Sequence, residues 1–261
     1  MAEAVYIETA EDAFVATEIA RGPWDANAQH GGAPASLLVR AFERLPGDDG
    51  LVIARITYEF MRPVPLGPLT VRADVARPGR RVQLLEASIF TPDELEVVRA
   101  RALRVQPARG VSPDVFPHDT VPPRPEQDRA SNYPPPDRRG FAPDGIEIRF
   151  AVGTFTNPGP ATAWFRLRVP VIEGVEATPL QRLAAAADFG NGISAAVPWD
   201  GYLFINPDLT IYLEREPVGE WICLESSTRI VDGGVGLSES VLYDERGRVG
   251  RALQSLLVAP R

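Results

Sequence analysis

Lysine is absent from this chain of 261 residues, which holds one cysteine, Cys223, and two histidines, His30 and His118. A lone cysteine excludes an internal disulfide, and such a chain suits a reducing cytoplasm. Cys223 sits in the apolar run Trp221-Ile222-Cys223-Leu224 with no histidine nearby, which reads as a packed strand residue rather than a nucleophile. No Cys/His cluster has zinc spacing, so no metal is expected. No stretch approaches the roughly 18–20 apolar residues of a membrane span. The opening MAEAVYIETAEDAF carries acids and lacks an apolar run after basic residues, so a secretory signal is not expected either. The G-x-G-x-x-G, phosphate-loop and G-x-S-x-G patterns are missing, which counts against dinucleotide, nucleotide and serine-nucleophile chemistry. Every fixed positive side chain is arginine, and a net charge of −8 leaves little basis for a nucleic-acid face. Two or three local arginines would still suffice for a small phosphorylated ligand.

What is present is an internal repeat. Leu51, Ile53, Gly67, Arg77, Leu85 and Ser88 reappear 152 residues later as Leu203, Ile205, Gly219, Arg229, Leu237 and Ser240. Val97, Arg99 and Ala100 reappear as Val249, Arg251 and Ala252, and Gln29 falls on Gln181. One fold made twice is the physical reading. Two such halves pack across a pseudo-twofold axis, so differences between them point to chemistry.

Residues 107–143 hold ten of the 26 prolines. Proline removes amide donors and fixes φ, so this stretch reads as a semi-rigid linker without chemistry of its own. Each half has the same order. Ala33–Leu45 is a helix with Leu37, Leu38, Ala41, Phe42 and Leu45 at helical spacing and Pro34 near its start. Strands follow over Leu51–Met61, Leu69–Arg77, Arg81–Thr91 and Glu96–Val105. In the second half Pro179–Ser194 is the helix, and Tyr202–Leu213, Trp221–Val231, Val235–Tyr243 and Arg248–Val258 are strands. Ile146–Phe155 and Thr162–Pro170 add two more before that helix. A helix followed by consecutive antiparallel strands, twice, indicates α+β.

Several stretches carry a family likeness: His30-Gly31-Gly32 before the first helix, Tyr58-Glu59-Phe60-Met61-Arg62-Pro63, Ala187-Asp188, Pro207-Asp208-Leu209-Thr210-Ile211-Tyr212 before Arg215, and Gly247-Arg248-Val249-Gly250-Arg251-Ala252-Leu253-Gln254. In this order and spacing the chain resembles the acyl-CoA thioesterase II (TesB-like) family. The resemblance implies a tandem (double) hotdog, each half a long helix wrapped by an antiparallel sheet. It divides the chain into residues 1–106, a linker 107–145 and residues 146–261. It also implies a cytoplasmic enzyme of fatty acid metabolism that hydrolyses acyl-CoA without a cofactor, as a monomer or a homodimer of such units. The family's water-holding Asp and Gln fall on Asp188 and Gln254, and its hydroxyl residue falls on Asn206, a departure. Two family histidines fall on Thr57 and Leu209.

The same residues have plainer readings. Asp188 interrupts a run of alanines and would either orient water or cap the helix end beside Gly190-Asn191-Gly192; its counterpart in the first half is Ser36. Gln254, with counterpart Ala102, faces either solvent or the helix-side pocket with Ala252 and Leu256. Asn206 before Pro207 is a strand-end residue or a ligand. His30, Gly31 and Gly32 form a flexible entry to the helix, or supply close backbone approach and oxyanion donors. Arg62, Arg77, Arg80 and Arg81 are candidates for CoA phosphates. Leu37, Phe42, Trp164 and Phe189 are candidates for an acyl pocket between helix and sheet. Two other functions stay open. A non-catalytic acyl-CoA binder is one. A hotdog enoyl-CoA hydratase is disfavoured because Asp188 has no histidine downstream.

Overall fold

The structure, a computed structural model, describes residues 3–47, 50–108, 110–111, 120–126 and 139–261. The chain opens with a hairpin of β1 (Tyr6–Ala10) and β2 (Ala13–Ala16), followed by α1 (Gly32–Arg44). Next come β3 (Val52–Phe60), β4 (Gly67–Arg77), β5 (Val82–Phe90) and β6 (Glu96–Val105). The second half holds β7 (Ile146–Val152), β8 (Ala161–Leu167), α2 (Pro179–Ala187), α3 (Gly190–Ile193) and β9 (Tyr202–Ile205). It ends with β10 (Asp208–Leu213), β11 (Ile222–Ile230), β12 (Val235–Asp244) and β13 (Gly247–Pro260).

These strands form one antiparallel sheet in the order β1-β2-β4-β5-β6-β3-β10-β13-β12-β11-β8-β7, with β9 paired to the end of β13. The order has the same pattern from either edge. β1-β2-β4-β5-β6-β3 is matched by β7-β8-β11-β12-β13-β10, and the two runs meet where β3 pairs with β10, Thr57 opposite Thr210. α1 packs on β4, β5 and β6; α2 packs on β8 and β11, and α3 on β8 and β11–β13.

Local chemistry explains the helices. Leu37, Leu38 and Phe42 of α1 are buried, and Arg104 caps its C-terminal end by donating to the carbonyls of Phe42, Leu45 and Pro46. Thr178 caps α2 by accepting from Gln181 N–H at 3.1 Å, and Pro179 fills the first position, where a missing donor costs nothing. The two helices touch. A Cβ on Gly32 would lie 2.4 Å from the Ala185 carbonyl oxygen, so glycine is there for helix packing rather than for loop freedom.

Four expectations change. The helix expected over 179–194 breaks at Asp188–Phe189, where Phe189 N–H bonds back three residues to Ala186 O at 3.0 Å. The strand expected over 202–213 breaks at Asn206–Pro207, because proline cannot donate to a ladder. β9 therefore pairs β13 alone, while β10 pairs both β3 and β13. Gln29 and Gln181 share the repeat offset but not a setting: Gln29 precedes α1, whereas Gln181 lies in the first turn of α2. The tail of the proline-rich segment is more than a spacer, since Phe141 begins a helical turn and is fully buried. Several of the segment's prolines, and His118, lie outside the described residues.

Candidate active site

Asp188 lies at the break between α2 and α3 and is 6% exposed. Burying a lone carboxylate is costly without partners, and here three side chains supply them. Asn206 Nδ2 donates to Asp188 Oδ1 at 2.8 Å, and Gln254 Nε2 approaches the same oxygen at 3.4 Å. His30 Nδ1 lies 3.0 Å from Asp188 Oδ2. The other two second-half candidates, Asn206 and Gln254, and His30 thus converge on the Asp188 carboxylate.

Gln254 also explains the helix break. Its Nε2 donates to the Asp188 carbonyl at 3.2 Å, and its Oε1 accepts from Asn191 N–H at 3.0 Å. The side-chain amide stands in for a backbone peptide across the gap, and the Asn191 N–H fixes which end of the amide faces Asp188. Ala252, Gln254 and Leu256 share the buried face of β13, as strand alternation requires. Gly190 completes the fit: a Cβ there would sit 2.7 Å from Ser240 Oγ and 2.8 Å from Gln254 Oε1.

Asn206 sits where β9 gives way to β10. Its Nδ2 also donates to the Asp208 carbonyl at 3.1 Å, which orients the amide toward the two acceptors.

His30 enters from the first half. Its ring stacks on Phe189 at 4.2 Å and lies 5.3 Å from Phe141. Gly32 N–H reaches the same Nδ1 at 3.1 Å. One ring nitrogen either donates to Asp188 or accepts from Gly32, so the histidine tautomer decides which contact is a hydrogen bond. Sequence order hid this contact: a search for a partner downstream of Asp188 misses a histidine 158 positions upstream. The signal available was His30-Gly31-Gly32 itself.

Gly31 is packed against the carboxylate, since a Cβ there would lie 2.7–2.9 Å from the carboxyl atoms of Asp188. Gly31→Ala is therefore expected to push Asp188 off its three partners and lower kcat by about 100-fold, the scale of a roughly 1 Å misplacement. Steady-state kinetics beside a melting curve checks this, because Tm should change far less than kcat.

A cavity of about 500 Å³ opens at Asp188 and is mainly apolar. Gly31, Asp188, Phe189 and Asn206 line it, along with Trp24, Trp199, Leu203 and Ile205. Of the four residues expected in an acyl pocket, Phe189 alone lines it. Leu37 and Phe42 are consumed by the core, and Trp164 belongs to a separate cluster with Trp221, Cys223 and Tyr243. Burial pushes the Cys223 thiol well above its ordinary range, which fits a packed residue and not a nucleophile. Of the four candidate arginines Arg62 lines the cavity, while Arg77, Arg80 and Arg81 are exposed around the β4–β5 turn.

A second cavity of about 550 Å³ carries the repeat into three dimensions. Gly47, Leu51 and Ile53 line it as Trp199, Leu203 and Ile205 line the first. The counterparts there of Asp188, Asn206 and Gln254 are Ser36, Ala54 and Ala102. The first cavity has the Asp188 cluster, whereas the second is lined by Glu43, Arg104, Thr178 and Glu216 instead.

Comparisons with known proteins show the family and the fold. Residues 20–105 match a family model described as an acyl-CoA thioesterase N-terminal domain, and residues 118–258 match one described as an acyl-CoA thioesterase C-terminal domain. No curated protein sequence matches the chain. Among solved structures, a thioesterase II candidate from Thermobifida fusca YX is 19% identical with a TM-score of 0.72, covering 97% of this chain and 95% of that one. The acyl-CoA thioesterase II TesB2 from Mycobacterium marinum is 14% identical with a TM-score of 0.65, covering 98% and 95%. A conserved protein of unknown function with a hotdog fold from Alicyclobacillus acidocaldarius is 16% identical with a TM-score of 0.69, covering 96% and 93%. At these identities the likeness shows a shared hotdog fold.

Proposed function

The chain belongs to the acyl-CoA thioesterase family, and from that premise we propose that it hydrolyses acyl-CoA by direct attack of a water deprotonated at Asp188. It is a thioester hydrolase, built in our reading as two hotdog units, residues 1–106 and 146–261, joined by 107–145. The observation that carries the mechanism is the buried Asp188 carboxylate, held by Asn206, Gln254 and His30, in the lining of a mainly apolar cavity.

In this reading Asp188 takes a proton from water as the oxygen attacks the thioester carbonyl carbon. Asn206 and Gln254 hold the carboxylate by Oδ1, which leaves Oδ2 to the water and His30. Negative charge develops on the carbonyl oxygen, where the backbone amide of Gly31 stabilises it; the Gly32 amide faces His30. The C–S bond then breaks, and the thiolate of CoA leaves with the proton returned by Asp188. Water supplies the oxygen, so the products are a free acid and CoA, with no covalent intermediate.

The His30–Asp188 contact also gives a hotdog hydratase reading an imidazole that is absent downstream of Asp188 in the sequence. The family match favours hydrolysis. Acyl-CoAs of graded chain length separate the two when thiol release is followed beside hydration of an enoyl-CoA. The expected outcome is thiol release that peaks at one chain length. Hydration without thiol release would overturn the proposal.

A further inference from the structure

We infer that Trp24 and Trp199 form a fixed wall that sets the longest acyl chain this enzyme accepts, an inference that rests on the hydrolase reading above. The two indoles come from different halves of the chain, Trp24 from the segment before α1 and Trp199 from the connection between α3 and β9. They stack face to face with centroids 4.9 Å apart and planes 13° from parallel, and both line the cavity that holds Asp188.

Three observations make this a wall rather than a mobile flap. Phe204, 1% exposed, packs edge-on against both rings, at 4.9 Å from Trp24 and 4.7 Å from Trp199. The guanidinium of Arg261 lies 5.4 Å from the Trp24 ring. Trp199 also stands close to α3, the short helix that follows Asp188, since a Cβ on Gly192 would be 3.8 Å from its Cζ2. Rings locked in this way keep their area at little entropic cost and cannot easily retreat from a longer chain.

The wall stands on the acyl side of the thioester for a chemical reason. Leu203, Ile205 and the two indoles make that flank of the cavity apolar. The amides and phosphates of CoA would lose hydrogen bonds to water there without replacement, whereas an alkyl chain gains from burial. In the second cavity the position of Trp199 is taken by Gly47, so the wall is a feature of the catalytic half-site alone.

The test compares kcat/KM for a long (C14) and a short (C6) acyl-CoA in wild type, Trp199→Ala, Trp24→Ala and the milder Trp199→Leu. The long-to-short ratio is the readout, because it does not depend on the fraction of protein that is folded. Removing either indole should raise the ratio by about tenfold or more, since each methylene newly accommodated is worth about fourfold. An unchanged ratio in all three variants, with an active wild type, would overturn the wall and leave the hydrolase reading standing. Absence of thiol release by wild type from either substrate would overturn both.

Discussion

Asp188→Asn is expected to lower kcat by about 1,000-fold or more while leaving the fold intact. A positioned general base contributes roughly 10²–10⁴ in rate, and among the described residues no other carboxylate lines the cavity beside Asn206 and Phe189 except the exposed Asp25. An amide is a near-isostere. Its oxygen can accept from Asn206 and Gln254 as Oδ1 does now, and its NH₂ can face His30 Nδ1 in the tautomer that accepts. The buried network is then satisfied but has lost its base. Thiol release measured beside a melting curve checks this; a variant with wild-type turnover would mean that the base lies elsewhere.

The largest expected stability effect lies away from the site, at Asp244. Its side chain is fully buried and accepts from Arg215 Nη1 and Nη2 at 2.5 and 2.6 Å, from Val218 N–H at 2.9 Å and from Arg246 N–H at 2.8 Å. Burial alone would raise the carboxyl's pKa, but the Arg215 guanidinium and the two amides outweigh it and hold it below the ordinary carboxylate range. Asp244→Ala leaves those donors unpaired and is expected to cost about 3 kcal/mol, or roughly 10 °C in Tm for a chain of this size. Because the folded carboxyl titrates lower than the unfolded one, this stabilisation is complete above about pH 4, the ordinary aspartate value, and is lost as pH falls through the folded value. The Tm gap between wild type and variant should therefore be widest near neutrality and narrow in acid. Melting both proteins from pH 7 to pH 3 tests the sign, and a gap that widens on acidification would refute it.

Legibility in the sequence followed the range of the interactions involved. Leu37, Leu38 and Phe42 repeat at helical spacing within one turn or two, and α1 appears where that spacing places it. That Gln254 shares a face with Ala252 and Leu256 was readable from strand alternation, but whether that face turns inward was left open until the structure showed all three buried. The helix end at Asp188 was one of two readings beside Gly190-Asn191-Gly192, but the amide that bridges the break was not readable, because it comes from a strand 66 residues away. The hairpin of β1 and β2 was missed because the left-handed turn is at Asp12 (φ 59°), not at a Gly or Pro that would announce it. His30 was singled out for its glycines, whose packing against Asp188 and Ala185 appears only when the two helices meet. The acyl pocket was misplaced for a related reason. Apolar residues such as Phe42 look alike in sequence whether they line a cavity or fill a core.

The central claim is that water, and not a side chain, attacks the thioester at Asp188. A single turnover in H₂¹⁸O with enzyme in excess, quenched at intervals, tests it when both the acid and the intact protein are weighed. The account predicts one ¹⁸O in the free acid and a protein mass that never changes. An early gain of one acyl group on the protein, or ¹⁸O left in the peptide that carries Asp188, would contradict it.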